Sequence, residues 1–245
     1  VKVCWANPGV LGNAGVSLPT TLEEFYAAAE KLKADGIVPL AHGGQPWQDA
    51  TVFEAVALAV MGPEDFASAF VEHDMDVINS AQMEEVFAEF AKVMSYVDDN
   101  AAGRDWNTAT GMVIPVEAAM QIMGDWAKGE FTAAGLTPGE DYICAPAPGT
   151  GGQFTFNVDS FAMFSLSDED NTMAQKDLAR TIMEPEFQTV VNKAKGSIPV
   201  RTDMDMSGFD TCAQASMDTF KSSADDGGLV PSFAHGLATT SYVQG

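Results

Sequence analysis

Residues 20–41 read Thr-Thr-Leu-Glu-Glu-Phe-Tyr-Ala-Ala-Ala-Glu-Lys-Leu-Lys-Ala-Asp-Gly-Ile-Val-Pro-Leu-Ala. Thr21 and Glu24 have the spacing of a capping box, which marks a helix start. Leu22, Phe25, Ala29 and Leu32 recur at helical spacing on one face, and Gly36 supplies the stop. Ile37–Ala41 then has the length and apolar character of a short buried strand. His42-Gly-Gly-Gln-Pro46 is a loop, and a second helix is expected from about Asp49 to Met61, halted by Gly62 and Pro63. Helix, strand and helix in succession predict an α/β architecture.

The pattern continues outward. Met83, Val86, Phe87, Phe90, Val93, Met94 and Val97 form one apolar stripe over residues 80–97, a core-facing helix. Residues 98–105 are a polar loop. Ala118–Met123 and Tyr142–Ala145 read as short strands, and Phe154–Phe164 alternates as a longer one. Helices are expected over 168–184, over 185–194 with Pro185 in the first turn, and over 209–224. The Pro- and Gly-rich stretch 146–152 is where the chain is ready to cross between lobes.

Composition excludes several functions. Of 245 residues, 46% are hydrophobic and 19% charged, enough apolar content for a core. Twelve Lys and Arg against 35 Asp and Glu give a net charge of −23, so nucleic acid and anionic lipid surfaces are repelled. The longest apolar run, Ala55–Met61, is far short of the ~20 residues that span a bilayer. No basic start followed by an apolar run is present, which fits a cytoplasmic protein or a leader already removed. Three cysteines and three histidines are too scattered for structural zinc.

Most chemical motifs fail on inspection. Asp203-Met-Asp-Met-Ser-Gly208 copies the first half of a calcium loop, but Gln214 stands where the bidentate Glu belongs, which leaves an acidic turn before a helix. Gly149-Thr-Gly-Gly152 lacks the Lys-Ser/Thr of a phosphate loop. Asp125 and Asp159 form a carboxylate pair of the kind a glycosidase uses, although in so acidic a chain a chance pair is expected.

The aromatic and polar segments carry more. Trp47 sits in Gly44-Gln-Pro-Trp-Gln48, and Trp126 in Met123-Gly-Asp-Trp-Ala127. A tryptophan just after a strand plugs the core or offers its face to a ligand. A sugar packs its C–H face on indole and needs hydrogen-bonding groups around the rim. Asn157 and Asp159, two apart, would share one side of a strand. Lys195 precedes a Gly-Ser-Ile-Pro turn, and His235 lies between Ala234 and Gly236.

Pro19–Phe25, Ala34–Leu40, Gly43–Trp47, Ala119–Trp126, Ala145–Thr150, Asn157–Phe161 and Lys195–Arg201 together resemble the extracytoplasmic sugar-binding proteins of bacterial ABC importers, family 1 solute-binding type, with the glucose/mannose group nearest. The resemblance covers nearly the whole chain, in order. It implies a two-lobe α/β fold with a monosaccharide of glucose, mannose or galactose type in the cleft. Trp126 would stack on the sugar, Asn157, Asp159 and Lys195 would bind its hydroxyls, His235 would close the pocket, and Trp47 with Gln48 would add to it. Family members are longer at both ends. On that analogy residues 1–147 and 203–245 form most of the C-terminal lobe, and 148–202 a part of the N-terminal lobe with the hinge crossings.

The implied protein is periplasmic, monomeric when full-length, free of cofactor and metal, and not an enzyme. It hands its sugar to the membrane permease of an ABC transporter. The alternatives are a carbohydrate-active hydrolase using Asp125 and Asp159, or a surface adhesin without a small-molecule pocket. An oxidising periplasm permits a Cys144–Cys212 disulfide, which would tie together the two C-lobe segments and leave Cys4 over.

Overall fold

The computed structural model describes residues 2–236; residue 1 and residues 237–245, which the expected outer lobe segments include, lie outside the described part. Strands β1 (Lys2–Ala6), β2 (Val38–Leu40), β3 (Ala118–Gly124) and β4 (Ile143–Pro146) form one sheet in the order β2-β3-β1-β4. β1 runs antiparallel to both neighbours, with Cys4 opposite Ile122 on one side and Ala145 on the other. β2 joins the far edge parallel to β3. A second, two-stranded sheet pairs β5 (Phe154–Phe156) with β6 (Leu229–Pro231).

Alternation along the strands sends side chains to two helical layers. Cys4, Ala6, Met120 and Ile122 meet α1 (Pro8–Ala14), α2 (Leu22–Ala34), α3 (Pro46–Phe70) and α5 (Ala81–Met94) through Leu11, Phe25, Leu32, Val52, Val56 and Val93. Val3, Trp5 and Met123 point the other way, toward α6 (Trp106–Val113), α7 (Lys128–Ala133) and Cys212 of α10 (Thr211–Asp226). There Trp5, Phe131 and Tyr142 pack ring against ring. Short α4 (Met75–Ile78) links α3 to α5, and α8 (Glu169–Met183) and α9 (Pro185–Lys195) precede α10.

The expected α/β fold is present, and Thr21 caps α2 by accepting from the Glu24 amide. α3 starts three residues earlier than expected, at Pro46, whose fixed φ suits a first turn. Gly62 breaks it at φ 72°, and the helix resumes through Pro63 to Phe70. The strand expected over 154–164 stops at Phe156. Val158, Phe161 and Phe164 beyond it are exposed, and among the described residues no strand pairs with this run. Alternation alone does not make a strand where no neighbour takes up its amides and carbonyls.

One charged cluster sits inside the apolar frame. Lys2 of β1 and Glu54 of α3 form a buried ion pair at 2.7 Å. Ser232 donates to Glu54 Oε2 at 2.8 Å, the Ala234 amide donates to Oε1 at 3.2 Å, and His235 Nδ1 lies 2.9 Å from Lys2 Nζ. Burying two charges costs several kcal/mol, which their attraction offsets only when their remaining protons and lone pairs find partners, as those of Lys2 and Glu54 do here. The cluster pins the segment after β6 to β1 and α3. A second pair, Lys128 with Asp210 at 2.7 Å, joins α7 to the N-cap of α10.

Cys144 and Cys212 are disulfide-bonded with Cα atoms 6.0 Å apart, linking β4 to α10 across 68 positions. Cys4 is a buried free thiol. A loop of that length restricts the unfolded chain by about 4 kcal/mol on the entropy account. Replacing both bridged cysteines by serine is expected to lower the unfolding free energy by about that amount in denaturant titration. A change below about 1 kcal/mol contradicts the tie.

Burial, with the neighbouring Lys2 charge, pushes the His235 imidazole from its ordinary 6.5 down to about 3. Burial lowers His42 as well, partly opposed by Asp49. As pH falls from about 6.5 toward 3, the unfolded chain takes up the His235 proton and the folded chain does not, so stability declines over that window; the lowered His42 acts in the same direction. Thermal midpoints are expected to fall between pH 7 and pH 5, and to fall less in His235→Gln. An equal slope in the variant rejects the assignment.

Candidate functional site

Trp47, Trp126 and His235 come together although 188 positions separate the first from the last (235 − 47). Trp126 lies in a single 3-10 turn, Asp125–Ala127, directly after β3. Its ring folds back over Gly124, where an added Cβ would stand 2.2 Å from the indole, so residue 124 must be glycine for this pose. The His235 ring meets Trp126 edge to face at 4.8 Å between centroids, and Trp47 at 6.3 Å. The two indoles are tilted at 6.5 Å. All three side chains are only partly buried.

The loop before α3 aims Trp47. Its indole N–H donates to Gln45 Oε1 at 2.8 Å, and Gln45 in turn donates to Asp105. Arg104 clamps Asp98 with two bonds of 2.7 Å and donates to the His42 carbonyl. The guanidinium holds the Asp98 carboxyl below its ordinary range. His42 is buried and sits 2.7 Å from Asp49 in the first turn of α3. Gln48 is wholly buried, with its amide nitrogen on Gln45 and the Arg104 carbonyl, so it stands beneath Trp47 as a support.

Lys195 ends α9, and Gly196 follows at φ 91°. A Cβ on Gly196 would lie 2.8 Å from the Asp125 carbonyl and from Lys128, so glycine lets the end of α9 close on the turn that carries Trp126. Lys195 forms an ion pair with Asp159, both exposed. The expectation that Asn157 and Asp159 share a strand face lapses, because β5 ends at Phe156. Asn157 instead follows β5 where the Ser232 amide donates to the Phe156 carbonyl, which sets it beside the His235 segment.

Sequence reasoning missed Lys2, Glu54, Ser232 and Gln45. Lys2 and Glu54 read as ordinary surface charges, and only Gln45 carried a signal, its place next to Trp47. Elsewhere a pocket of about 60 Å³ beside the disulfide, lined by Val3, Gln153, Ser216 and Thr219, has room for a few waters and none for a sugar ring. Among the described residues no group of three or more His, Cys, Asp or Glu could hold a metal, and no helix is long and apolar enough to cross a membrane.

The profile of the bacterial extracellular solute-binding proteins matches residues 2–180. A "probable sugar-binding periplasmic protein" of Brucella suis is 47% identical over 240 residues, which is 98% of this chain and 56% of that protein. An uncharacterized ABC transporter extracellular-binding protein of Pyrococcus horikoshii is 33% identical, over 97% of this chain and 53% of its own. The chain thus spans about half the length of the curated relatives it matches. Among solved structures, a chitin oligosaccharide binding protein superposes with a TM-score of 0.76 at 18% identity, covering 95% of this chain and 59% of the other, a likeness of fold. Solute-binding proteins carry out no chemistry on what they bind, so the hydrolase alternative built on Asp125 and Asp159 finds no support. The matched profile covers well over half of the sequence, and the chain belongs to the bacterial extracellular solute-binding proteins.

Proposed function

We propose that this chain binds a monosaccharide of glucose, mannose or galactose type in the periplasm and that the protein delivers it to the permease of an ABC transporter. The observation that carries the reading is the meeting of Trp47, Trp126 and His235 on one partly open aromatic face; Gly196, next to Lys195, packs on the turn that carries Trp126, and Lys195 pairs with Asp159. Two indoles provide apolar faces for C–H groups, while Asn157, Asp159, Lys195 and His235 provide directional donors and acceptors for hydroxyls. The names of the Brucella and Pyrococcus relatives support the sugar and the transporter.

Residues 148–202 belong on this reading to a second lobe, and 1–147 with 203–245 to the first. Two features support the division: α8 buries none of its residues, and Val158, Phe161 and Phe164 stand exposed ahead of it. Sugar bound between two lobes stabilises the closed form by contacts that the open form lacks, and the permease reads that form.

The test is calorimetric titration of the complete polypeptide carrying these residues with glucose, mannose and galactose. Saturable one-to-one binding without product is expected for at least one. Heat from none of the three removes the monosaccharide assignment. Trp126→Ala is expected to weaken that binding by about 1–3 kcal/mol while thermal melting is retained. Unchanged affinity in a folded variant removes Trp126 from the platform.

A further inference from the structure

Lys2 Nζ has three protons and meets three acceptors: Glu54 Oε2 at 2.7 Å, His235 Nδ1 at 2.9 Å and Ser232 Oγ at 3.3 Å. An ammonium group has no acceptor capacity, so the His235 Nδ1 facing it must be the unprotonated nitrogen. Ser232 Oγ also lies 3.0 Å from Nδ1, but its single proton is committed to Glu54 Oε2 at 2.8 Å. The remaining Glu54 oxygen accepts from the Ala234 amide. Every donor and acceptor of the cluster is thereby assigned, and the ring's proton must sit on Nε2. That nitrogen is buried and has no hydrogen-bond partner among the described residues. Its ring lies against the indoles of Trp126 and Trp47.

We infer that Lys2, Glu54 and Ser232 are positioning residues that lock His235 as the Nε2–H tautomer, so that it serves as a fixed hydrogen-bond donor to an oxygen of a sugar stacked on Trp126. The inference rests on the carbohydrate reading for the ligand, but the lock stands or falls without any ligand. An unpartnered buried N–H is costly, and a sugar oxygen at the ring edge satisfies it. A donor fixed before binding loses no further freedom when the ligand arrives. Among the described residues the charged groups facing the ring are Lys2 from β1 and Glu54 from α3; Trp47 and Trp126 bring no charge.

The test is imidazole ¹⁵N spectroscopy of the 245-residue chain, with the His235 signals assigned by their loss in His235→Gln. One neutral species with its proton on Nε2 is expected from pH 8 to pH 5. A proton on Nδ1, mixed tautomers or protonation in that range overturns the lock. Lys2→Met alone strands Glu54, so the double variant Lys2→Met/Glu54→Gln is used, with folding checked by melting. It should show mixed tautomers and a ring that titrates in that range; an unchanged ring overturns the role of the pair. Ser232→Ala leaves the Lys2 contact in place and should keep the Nε2–H form; its loss overturns Lys2 as the fixing donor. In the complete polypeptide, titrated with glucose, mannose and galactose, tryptophan fluorescence reports binding. The Nε2 resonance should move with it, and the double variant should bind about tenfold more weakly. A fluorescence response without movement at Nε2 overturns the donor role. No fluorescence response to any of the three sugars overturns the carbohydrate reading, while the tautomer result still decides the lock.

Discussion

Strand β1 is the constraint on which the rest depends. It is hydrogen-bonded along both edges and all five of its residues are buried. Its alternation decides which helices lie on which face of the sheet, and its pairing sets the register of β3. That register fixes where β3 ends, and so where the Trp126 turn begins. At its first position it holds Lys2, whose charge could not be buried without Glu54 from α3 and the groups after β6. A displacement of one residue in β1 would exchange the two faces and remove Lys2 from Glu54 at the same stroke.

The longer helices, α2, α3, α5, α8, α9 and α10, and the strands β2, β3 and β4 were legible in the sequence; the short helices α1, α4, α6 and α7 were not. α2 and α5 carry capping residues and long periodic stripes, and such local signals do not need the rest of the chain. β1 escaped notice because five residues beginning with a lysine have neither periodic length nor turn signals around them. Its strand character comes from neighbours more than a hundred positions away. The opposite failure occurred at 157–164, where the alternation was visible but no pairing partner lies among the described residues.

The candidate site divides in the same way. Trp47 and Trp126 announced themselves as aromatic residues beside loops. Their convergence follows from tertiary geometry: the Gly124 cradle for one indole and the Gln45 tether for the other. Gln48 looked identical in kind to the rim groups; its amide nitrogen supports the loop, while its buried Oε1 has no partner among the described residues. The polar cluster behind His235 left no trace in the sequence, because a lysine and a glutamate 52 positions apart (54 − 2) are indistinguishable from solvated charges until the fold buries them.

The odd cysteine has a kinetic consequence. Cys4 and Cys144 sit on adjacent strands, yet their side chains leave opposite faces of the sheet, Cys4 into the core with α2 and α3 and Cys144 toward α10. Burial pushes the Cys4 thiol up to about 12. Thiol–disulfide exchange proceeds through the thiolate, and a thiol raised this far is protonated at neutral pH. Once β1 is seated, the third sulfur is therefore removed from the reaction twice over, by protonation and by a sheet standing between it and the bond. Within this sheet the bond and the third thiol can meet only before β1 docks, while Cys4 is still exposed.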